Sequence, residues 1–245
     1  MAKLIKKTST LEKQYRRQRT RGIRYLLLSA LGILGILVGI HLQLPVVLGV
    51  GILWWFVCIL LAVTPVRDLN ALKAGIDGEA AAAKLLKQLP SSYQCYQNVV
   101  VSSQGKTSEM DLVAVGPTGV FIIETKNLNG HITGGWDAQN WTLHKTGRRG
   151  GAYEKSFYSP VKQVGTHIYR LAHYLRERDC RVHIDAAVLF IHPDTSVSLH
   201  GTPGDIPVYA GKEGGKALLR HITDSNTTIP PQMLKKLHQL LEKCL

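Results

Sequence analysis

The chain lacks charge over its most apolar stretch. Residues 25–66 contain no Lys, Arg, Asp or Glu, and they form two apolar runs separated by HLQLP. A helix that crosses a membrane needs about 20 mostly apolar residues, and soluble cores of this size rarely lack every charge. We therefore predict a segment at 25–64 that holds two membrane helices, at about 25–41 and 46–63. A buried helical hairpin in a soluble core is the alternative.

Acidic residues are nearly absent from the first 24 residues, which carry nine Lys and Arg and one acid, Glu12. The connecting HLQLP has no basic residue, so the positive-inside rule predicts a multi-pass protein of the cell's inner membrane. Both termini and the domain that follows are then cytoplasmic. We expect the basic cytoplasmic tail, 1–24, to lie against anionic lipid headgroups. An arm that binds nucleic acid is the alternative.

The sequence also lacks the spacings typical of zinc sites and disulfide frameworks. None of its ten histidines falls in an HExxH pattern, and it has four widely spaced cysteines, Cys58, Cys95, Cys180 and Cys244. The thiols of a cytoplasmic domain are expected to stay reduced. Internal repeats and low-complexity tracts are absent as well, which leaves an ordinary globular domain after the apolar segment.

That domain has the alternating pattern of an α/β protein, following a linker at 65–74 and extending over 75–245. Helices are predicted at 75–89, which Pro90 ends, at 159–178, and near 212–222 and 230–244. Strands are predicted at 93–101, 110–115, 120–126, 182–191 and 206–210, with short irregular strands in 131–145 and a polar loop at 102–108.

Two of these strands are joined by GPTG, a tight hairpin signal. If Gly116 pairs with Gly119, Asp111 lies opposite Glu124, and Lys126 shares the face of Glu124. Like charges facing each other across a sheet repel, so two adjacent carboxylates need a cation or a shared proton.

Carboxylate oxygens suit Mg²⁺, Mn²⁺ or Ca²⁺. Such a cation binds phosphate oxygens and activates water, and a neighbouring lysine counters developing negative charge. The charged end of the hairpin is therefore suited to phosphodiester hydrolysis. A solvated strand edge is the alternative.

The same residues resemble the PD-(D/E)xK nuclease signature, with Asp111 in one strand and Glu124-Thr125-Lys126 in the next. More narrowly, residues 75–190 are similar to NERD, the nuclease-related domain. The matching segments are GIDGE at 75–79, EMDLVAVGPTGVFIIETKNLNGHI at 109–132 and SPVKQ at 159–163.

The resemblance implies a restriction-endonuclease-like fold, in which helices flank a mixed central sheet. It also implies a site for Mg²⁺ or Mn²⁺, with ligands at Asp111, Glu124, the carbonyl of Thr125, and Glu79 as an additional acid. By the same resemblance, Lys126 is the catalytic lysine, and Gln163 lies near the site.

Two positions depart from the family pattern. Related nucleases often have tyrosine four residues after the glutamine, where this chain has His167, and Met110 replaces the proline of the signature. Two of the implied residues also have simpler interpretations. Glu79 is also explained as a first-turn acid favoured by the helix dipole, and Gln163 as a surface residue near a helix start.

Two functions follow from the sequence. The first is a membrane-anchored, metal-dependent nuclease that hydrolyses phosphodiester bonds of DNA or RNA. The second is a catalytically inactive nuclease fold that binds nucleic acid, or acts as a scaffold, at the membrane. The intact set Asp111, Glu124 and Lys126 favours the enzyme.

Two further features bear on a nucleic-acid partner. The loop GRRGG at 147–151 either contacts a phosphate backbone or is a solvated loop. Trp136 and Trp141 either stack on bases or pack in the core. The sequence does not indicate the oligomeric state.

Overall fold

The computed structural model describes residues 1–64, 66–146 and 150–245. It divides into two compact units. One unit is Thr8–Ile76, and the other combines Met1–Lys7 with Asp77–Leu245. Three residues of the GRRGG loop, 147–149, lie outside the described residues.

The first unit is a helical hairpin. It contains α1 (Thr10–His41) and α2 (Pro45–Val63), followed by the start of α3 (Val66–Leu86). Ser9 caps α1, since its side chain accepts the N–H of Glu12. Both hairpin helices are long and apolar enough to cross a membrane.

Small residues let α1 and α2 approach closely. A Cβ at Gly39 would overlap the backbone of Leu48, and one at Gly51 would overlap the backbone of Ile36. Most of the Leu, Ile and Val side chains of both helices point outward and are exposed. Such an outer surface is what lipid-facing helices present, with small residues kept for the helix–helix contact.

The predicted start of the third helix is wrong, because α3 begins at Val66 rather than at Gly75. Residues 66–74 contain Leu and Ala, which are strong helix formers, and no proline. Nothing therefore stops the helix from extending into the expected linker. It ends at Leu86, ahead of the predicted end at Leu89.

The second unit is built on two sheets. The six-stranded sheet has the order β1-β2-β3-β4-β8-β10, and the four-stranded sheet the order β7-β6-β5-β9. The strands are β1 (Lys3–Lys6), β2 (Gln94–Ser103), β3 (Lys106–Gly116), β4 (Gly119–Lys126), β5 (Gly130–Gly135), β6 (Asn140–Thr146), β7 (Ala152–Tyr158), β8 (Ile184–Phe190), β9 (Thr195–His200) and β10 (Val208–Tyr209).

The main sheet is mixed, as predicted. Strands β2, β3 and β4 run antiparallel, whereas β1 is parallel to β2, and β8 is parallel to both β4 and β10. The remaining helices are α4 (Pro160–Arg176), α5 (Gly211–Thr223) and α6 (Pro231–Glu242). Side chains of α4 and α6 cover one face of the sheet, and those of α3 and α5 cover the other. The α/β fold class with flanking helices is confirmed.

The central hairpin has the predicted register. Gly116 pairs with Gly119, and the ladder continues to Leu112 opposite Ile123. The polar loop predicted at 102–108 is wrong, because β2 and β3 extend into it and leave only Gln104–Gly105 as the turn. Both turn residues have positive φ, 51° and 71°, which is the geometry of a tight two-residue hairpin.

Three strands were not predicted: β1, β7 and β9. Strand β1 pairs with Gln94–Gln97 of β2, and the Nδ2 of Asn98 donates to the carbonyl of Lys7 at 2.6 Å. The first seven residues are therefore part of the main sheet. In chain order, the helical hairpin is an insertion between β1 and the rest of this domain.

Trp141 packs in the core. Its ring is fully buried and stacks on Phe190, with ring centroids 6.4 Å apart, and its Nε1 donates to the carbonyl of Gly135. The side chain of Trp136 is half-buried. All four cysteines are buried and free of disulfides.

Candidate active site

Glu124 is the most deeply buried acid at the end of the hairpin, with a side chain only 1% exposed. It lies near the end of β4, beside Val188 of the parallel strand β8. An isolated ionised carboxylate at this depth is costly unless it is paired. The sequence must therefore supply partners for it, and it does so from β4 itself and from α4.

Lys126 is the first partner. Its Nζ lies 2.7 Å from Oε1 of Glu124 and 3.0 Å from Oε1 of Gln163. Gln163 belongs to the first turn of α4, which Pro160 begins and the Ser159 side chain caps. The helix start thus holds the glutamine over the strand end, where it fixes the lysine ammonium beside the acid.

His167 is the second partner, and sequence reasoning had treated it only as a departure from the family pattern. Its Nε2 lies 3.4 Å from Oε2 of Glu124, and its Nδ1 lies 2.7 Å from Oγ of Ser108. The Nη1 of Arg170 donates to the same hydroxyl. The sequence signal that could have indicated His167 is its position four residues after Gln163, because residues four apart on a helix share a face.

Asp111 is held differently. The backbone pairing of β3 with β4 ends at Leu112 opposite Ile123, so the expected pair of Asp111 with Glu124 is not formed as a ladder pair. Instead, Oδ2 of Asp111 accepts the backbone N–H of Thr125 at 2.8 Å. The aspartate side chain therefore takes the place of a backbone acceptor where the strands diverge.

The regular alternation of β3 side chains between the two faces of the sheet is also interrupted at this point. Leu112 packs into the core on one face of the sheet, and Met110, two residues away, packs into the core on the other. Asn98, on the neighbouring strand, has a positive φ of 61°. The change of face and the positive φ mark a local irregularity of the sheet at the position of Asp111.

Glu79 reaches the same region from α3. It is buried, and its charge is close enough to raise the pKa of Asp111. Its neighbour Gly78 is so close to Asn127 that a Cβ at 78 would overlap that side chain. Because α3 begins at Val66, Glu79 lies well inside the helix, and its interpretation as a first-turn acid is wrong.

Comparisons with known proteins identify a family similarity in the part of the chain that carries these residues. Residues 74–191 match the family described as nuclease-related domain. We refer to residues 74–191 as the nuclease-related domain after this match. An uncharacterized protein of Bacillus anthracis is 37% identical over 98 residues. That match covers 38% of this chain and 43% of the relative's length. No solved structure matches the chain.

The two central acids of the nuclease-related domain differ in their proton affinity. Burial, and then the negative charge of Glu124, raise the pKa of Asp111 well above its usual value, against the Thr125 hydrogen bond and Lys126. Burial also acts to raise the pKa of Glu124, but the contact with His167 and the hydrogen bond and charge of Lys126 outweigh burial and lower that pKa. Glu124 is therefore the ionised member of the pair, and Asp111 holds its proton more tightly.

Hard oxygen donors lie at this point of the nuclease-related domain. These donors are the carboxylates of Asp111, Glu124 and Glu79 and the carbonyl of Thr125. One of them, Oε2 of Glu124, is buried and accepts no hydrogen bond from the described residues. Such a donor set fits Mg²⁺ or Mn²⁺, which are bound through one or two carboxylates together with waters.

The fit has one reservation within the described ranges. Across residues 1–64, 66–146 and 150–245, no group of three His, Cys, Asp or Glu side chains is arranged to hold a metal ion. The oxygen donors therefore suit a cation chemically, while the lysine ammonium holds one oxygen of Glu124. The other oxygen, Oε2, accepts no hydrogen bond from the described residues, so it is the oxygen of Glu124 that would bind a cation.

Proposed function

We propose that the protein is a membrane-anchored, divalent-metal-dependent nuclease that hydrolyses phosphodiester bonds of DNA or RNA. The observation that carries this proposal is the buried Glu124 carboxylate, bound by Lys126 and His167 at the strand end to which Asp111 is fixed. The family match over residues 74–191 supports a nuclease-like role.

The residues that would hold Mg²⁺ or Mn²⁺ are Asp111, Glu124, Glu79 and the carbonyl of Thr125. When bound there, the cation supplies a Lewis acid that polarises the phosphoryl oxygens and makes a bound water more acidic. Since Asp111 holds its proton tightly, the site must lose that proton before both acids can serve as ligands.

The side chains of Lys126, Gln163 and His167, which surround these acids, have different roles in the proposed reaction. The Lys126 ammonium stabilises the negative charge that develops on the phosphorus-bound oxygens and orients the attacking water. Gln163 positions the ammonium through its 3.0 Å contact. His167 limits the movement of the Glu124 carboxylate from the side opposite the lysine.

One observation favours a second candidate function, a nuclease fold that binds nucleic acid without turnover. The 2.7 Å contact between Lys126 and Glu124 neutralises the acid without a metal. The described residues also contain no three-ligand group of His, Cys, Asp or Glu. In that case the charged strand end would serve stability and electrostatic binding only.

We further propose that α1 and α2 anchor the protein in the inner membrane, with both termini and the nuclease-related domain on the cytoplasmic side. The support is the distribution of charge. Nine Lys and Arg precede the apolar part of α1, and the connection between the two helices has none. The positive-inside rule assigns the basic side to the cytoplasm.

The test uses the full chain in a neutral detergent, since β1 makes the first seven residues part of the domain. Single- and double-stranded DNA and RNA are incubated with Mn²⁺, and cleavage by the wild type is compared with Lys126→Ala. We expect Lys126→Ala to lose about 10²–10⁴-fold in rate. Lys155→Ala, a lysine change on the exposed strand β7, serves as the control and should leave the rate unchanged.

Calorimetry with Mn²⁺ separates the two candidate functions. The enzyme should bind the ion, and Glu124→Gln should abolish that binding. If the wild type binds an oligonucleotide but neither binds Mn²⁺ nor cleaves, the nuclease proposal is wrong and the second candidate is supported. Equal cleavage by the wild type and Lys126→Ala would indicate a contaminating nuclease.

A further inference from the structure

The start of α1 carries a concentrated positive surface that the nuclease chemistry does not use. An open groove of about 680 Å³ along this helix is lined by side chains of α1 alone, among them four arginines and Tyr25. We call it the arginine cleft and define it by Arg16, Arg17, Arg21, Arg24 and Tyr25. Arg17, Arg21 and Arg24 are separated by four and three residues, so they lie along one side of the helix, and Arg16 is next to Arg17.

The arginines of the cleft have no acidic partner. All four are exposed, and within the described part of the chain none of them makes a hydrogen bond or an ion pair. Arg21 lies over the ring of Tyr25, 5.7 Å from its centroid. Like charges one helical turn apart repel each other. Four unpaired guanidinium groups side by side therefore favour an anion that neutralises several of them at once.

The position of the cleft along α1 indicates where that anion lies. The helix continues without a break from Arg24 into an exposed apolar run that begins at Leu26. At about 1.5 Å of rise per residue, Arg24 and Arg21 lie about 3–8 Å before that run. The headgroup layer on each side of a bilayer is roughly 5–8 Å thick. If the apolar run enters the bilayer, the inner half of the cleft lies among the headgroups.

We propose that the arginine cleft binds the phosphate of an anionic phospholipid. Guanidinium groups are suited to this ligand because their planar fork donates two parallel hydrogen bonds to a phosphate. Tyr25 adds an amphipathic ring of the kind enriched at membrane interfaces. Arg16 and Arg17, farther from the apolar run, reach the same layer by extending their side chains along the helix.

A lipid explains the cleft better than a nucleic acid does. The cleft belongs to the same helix as the apolar run, so membrane insertion brings it to the headgroups without a second binding event. The chain holds one acid before the run, Glu12, so the surface offers an anionic headgroup little repulsion. This inference does not depend on whether the nuclease-related domain is active.

The experiment measures lipid binding to the full-length protein in a neutral detergent by native mass spectrometry. Dioctanoyl phosphatidylglycerol is the anionic probe, and dioctanoyl phosphatidylcholine is the zwitterionic comparison. The double variant Arg17→Gln with Arg21→Gln removes two charges inside the cleft. The matched double variant Lys13→Gln with Arg19→Gln removes two charges from the same helix at positions that do not line the cleft.

We expect the cleft variant to bind phosphatidylglycerol about 10- to 30-fold more weakly, from roughly three- to fivefold per arginine. The matched variant should change by less than about threefold, since its charges act only from a distance. Replacing the same two arginines by lysine should give an intermediate loss, because lysine keeps the charge but not the planar fork.

Three results would overturn the proposal. The two double variants could lose equal affinity, which would make the effect one of net charge alone. Inorganic phosphate at the same concentration could displace the lipid, which would identify a site for the free ion. A short DNA oligonucleotide could displace it at lower concentration, which would identify a nucleic-acid arm.

Discussion

The two ends of the β3–β4 hairpin differ in their backbone pairing and in the side chains that they bury. At the turn, Gly116 pairs with Gly119, and Val115 with Val120, and both valines are completely buried. Thr118 accepts or donates a 2.6 Å hydrogen bond with the hydroxyl of Tyr93. At the far end, the ladder stops after Leu112 and Ile123, and buried charge replaces apolar contact.

This difference indicates that one end of the hairpin contributes stability and the other end positions the side chains of the candidate site. The turn end keeps its backbone pairing and buries apolar side chains, so it contributes stability. The far end gives up backbone pairing and buries a carboxylate, and both changes cost stability. A cost of that kind is typical of sites whose side chains are placed for chemistry.

The largest effect is expected at the far end. Glu124→Gln removes the ionised acid but keeps the size of the side chain, and we expect the nuclease rate to fall at least about 10²-fold. Val120→Ala, on the same strand at the turn end, should instead lower stability by about 2 kcal/mol and leave the activity of the folded protein intact. Cleavage assays and thermal unfolding measure the two effects.

A larger change at the turn should enlarge the stability effect without touching chemistry. A side chain at position 116 would overlap the ring of Tyr93, so Gly116→Val should destabilise the fold by about 1–3 kcal/mol. Gly165→Ala is the control, because nothing lies near a Cβ at that helical position. It should be neutral or stabilise by up to about 1 kcal/mol. Thermal unfolding that ranks the two in the opposite order would contradict this account of the turn.

The two acids at the far end should respond to pH with opposite signs. The folded protein raises the pKa of Asp111, so ionising Asp111 destabilises the fold as pH rises from about 4 through the raised value. Asp111→Asn should therefore raise the melting temperature at neutral pH, and the gain should vanish as pH falls below the unfolded value of about 4.

Glu124 behaves in the opposite way. Its pKa is lowered in the fold, so its ionised form contributes stability above the unfolded pKa of about 4.3, and that stability is lost as pH falls through the lowered value. Glu124→Gln should thus reduce the melting temperature at neutral pH. Melting curves for both variants between pH 3 and 8 measure the difference, and effects of the same sign would refute the assignment of Glu124 as the ionised member.

The smallest of these effects concerns the residue behind Glu124. If His167 restrains that carboxylate, His167→Gln should weaken Mn²⁺ binding by about 10- to 100-fold, as changes to residues behind a metal ligand commonly do. His173→Gln provides the control, since His173 lies on the same helix but contacts Ser103 and Glu177. Calorimetry showing equal Mn²⁺ affinity for both variants would remove His167 from the site.

The sequence predicted the main parts of the site because they are encoded locally. The GPTG signal fixes the hairpin register, and the register fixes which side chains of two neighbouring strands end together. The Ser-Pro start predicted that Gln163 lies in the first turn of a helix, but only the family resemblance placed it near the site. The hairpin signals lie within a few residues of the groups they position, so the register needed no knowledge of the tertiary structure.

The remaining features depend on contacts between distant parts of the chain. Strand β1 has four residues with lysine at both ends, and its pairing with residues 94–97 leaves no local pattern. The divergence of the strands at Asp111 depends on the twist at Asn98 of the neighbouring strand. The role of His167 could not be deduced from its type alone, because a buried histidine is common in ordinary cores.

Strand β1 has a practical consequence for anyone who prepares the nuclease-related domain without the apolar hairpin. Cutting the chain after the apolar hairpin would discard residues 1–7 and leave the edge of β2 bare, and an open edge of this kind invites aggregation. The better design removes the hairpin from within, by joining Lys7 to Asp77 through a flexible linker. Excision preserves the sheet, whereas truncation breaks it.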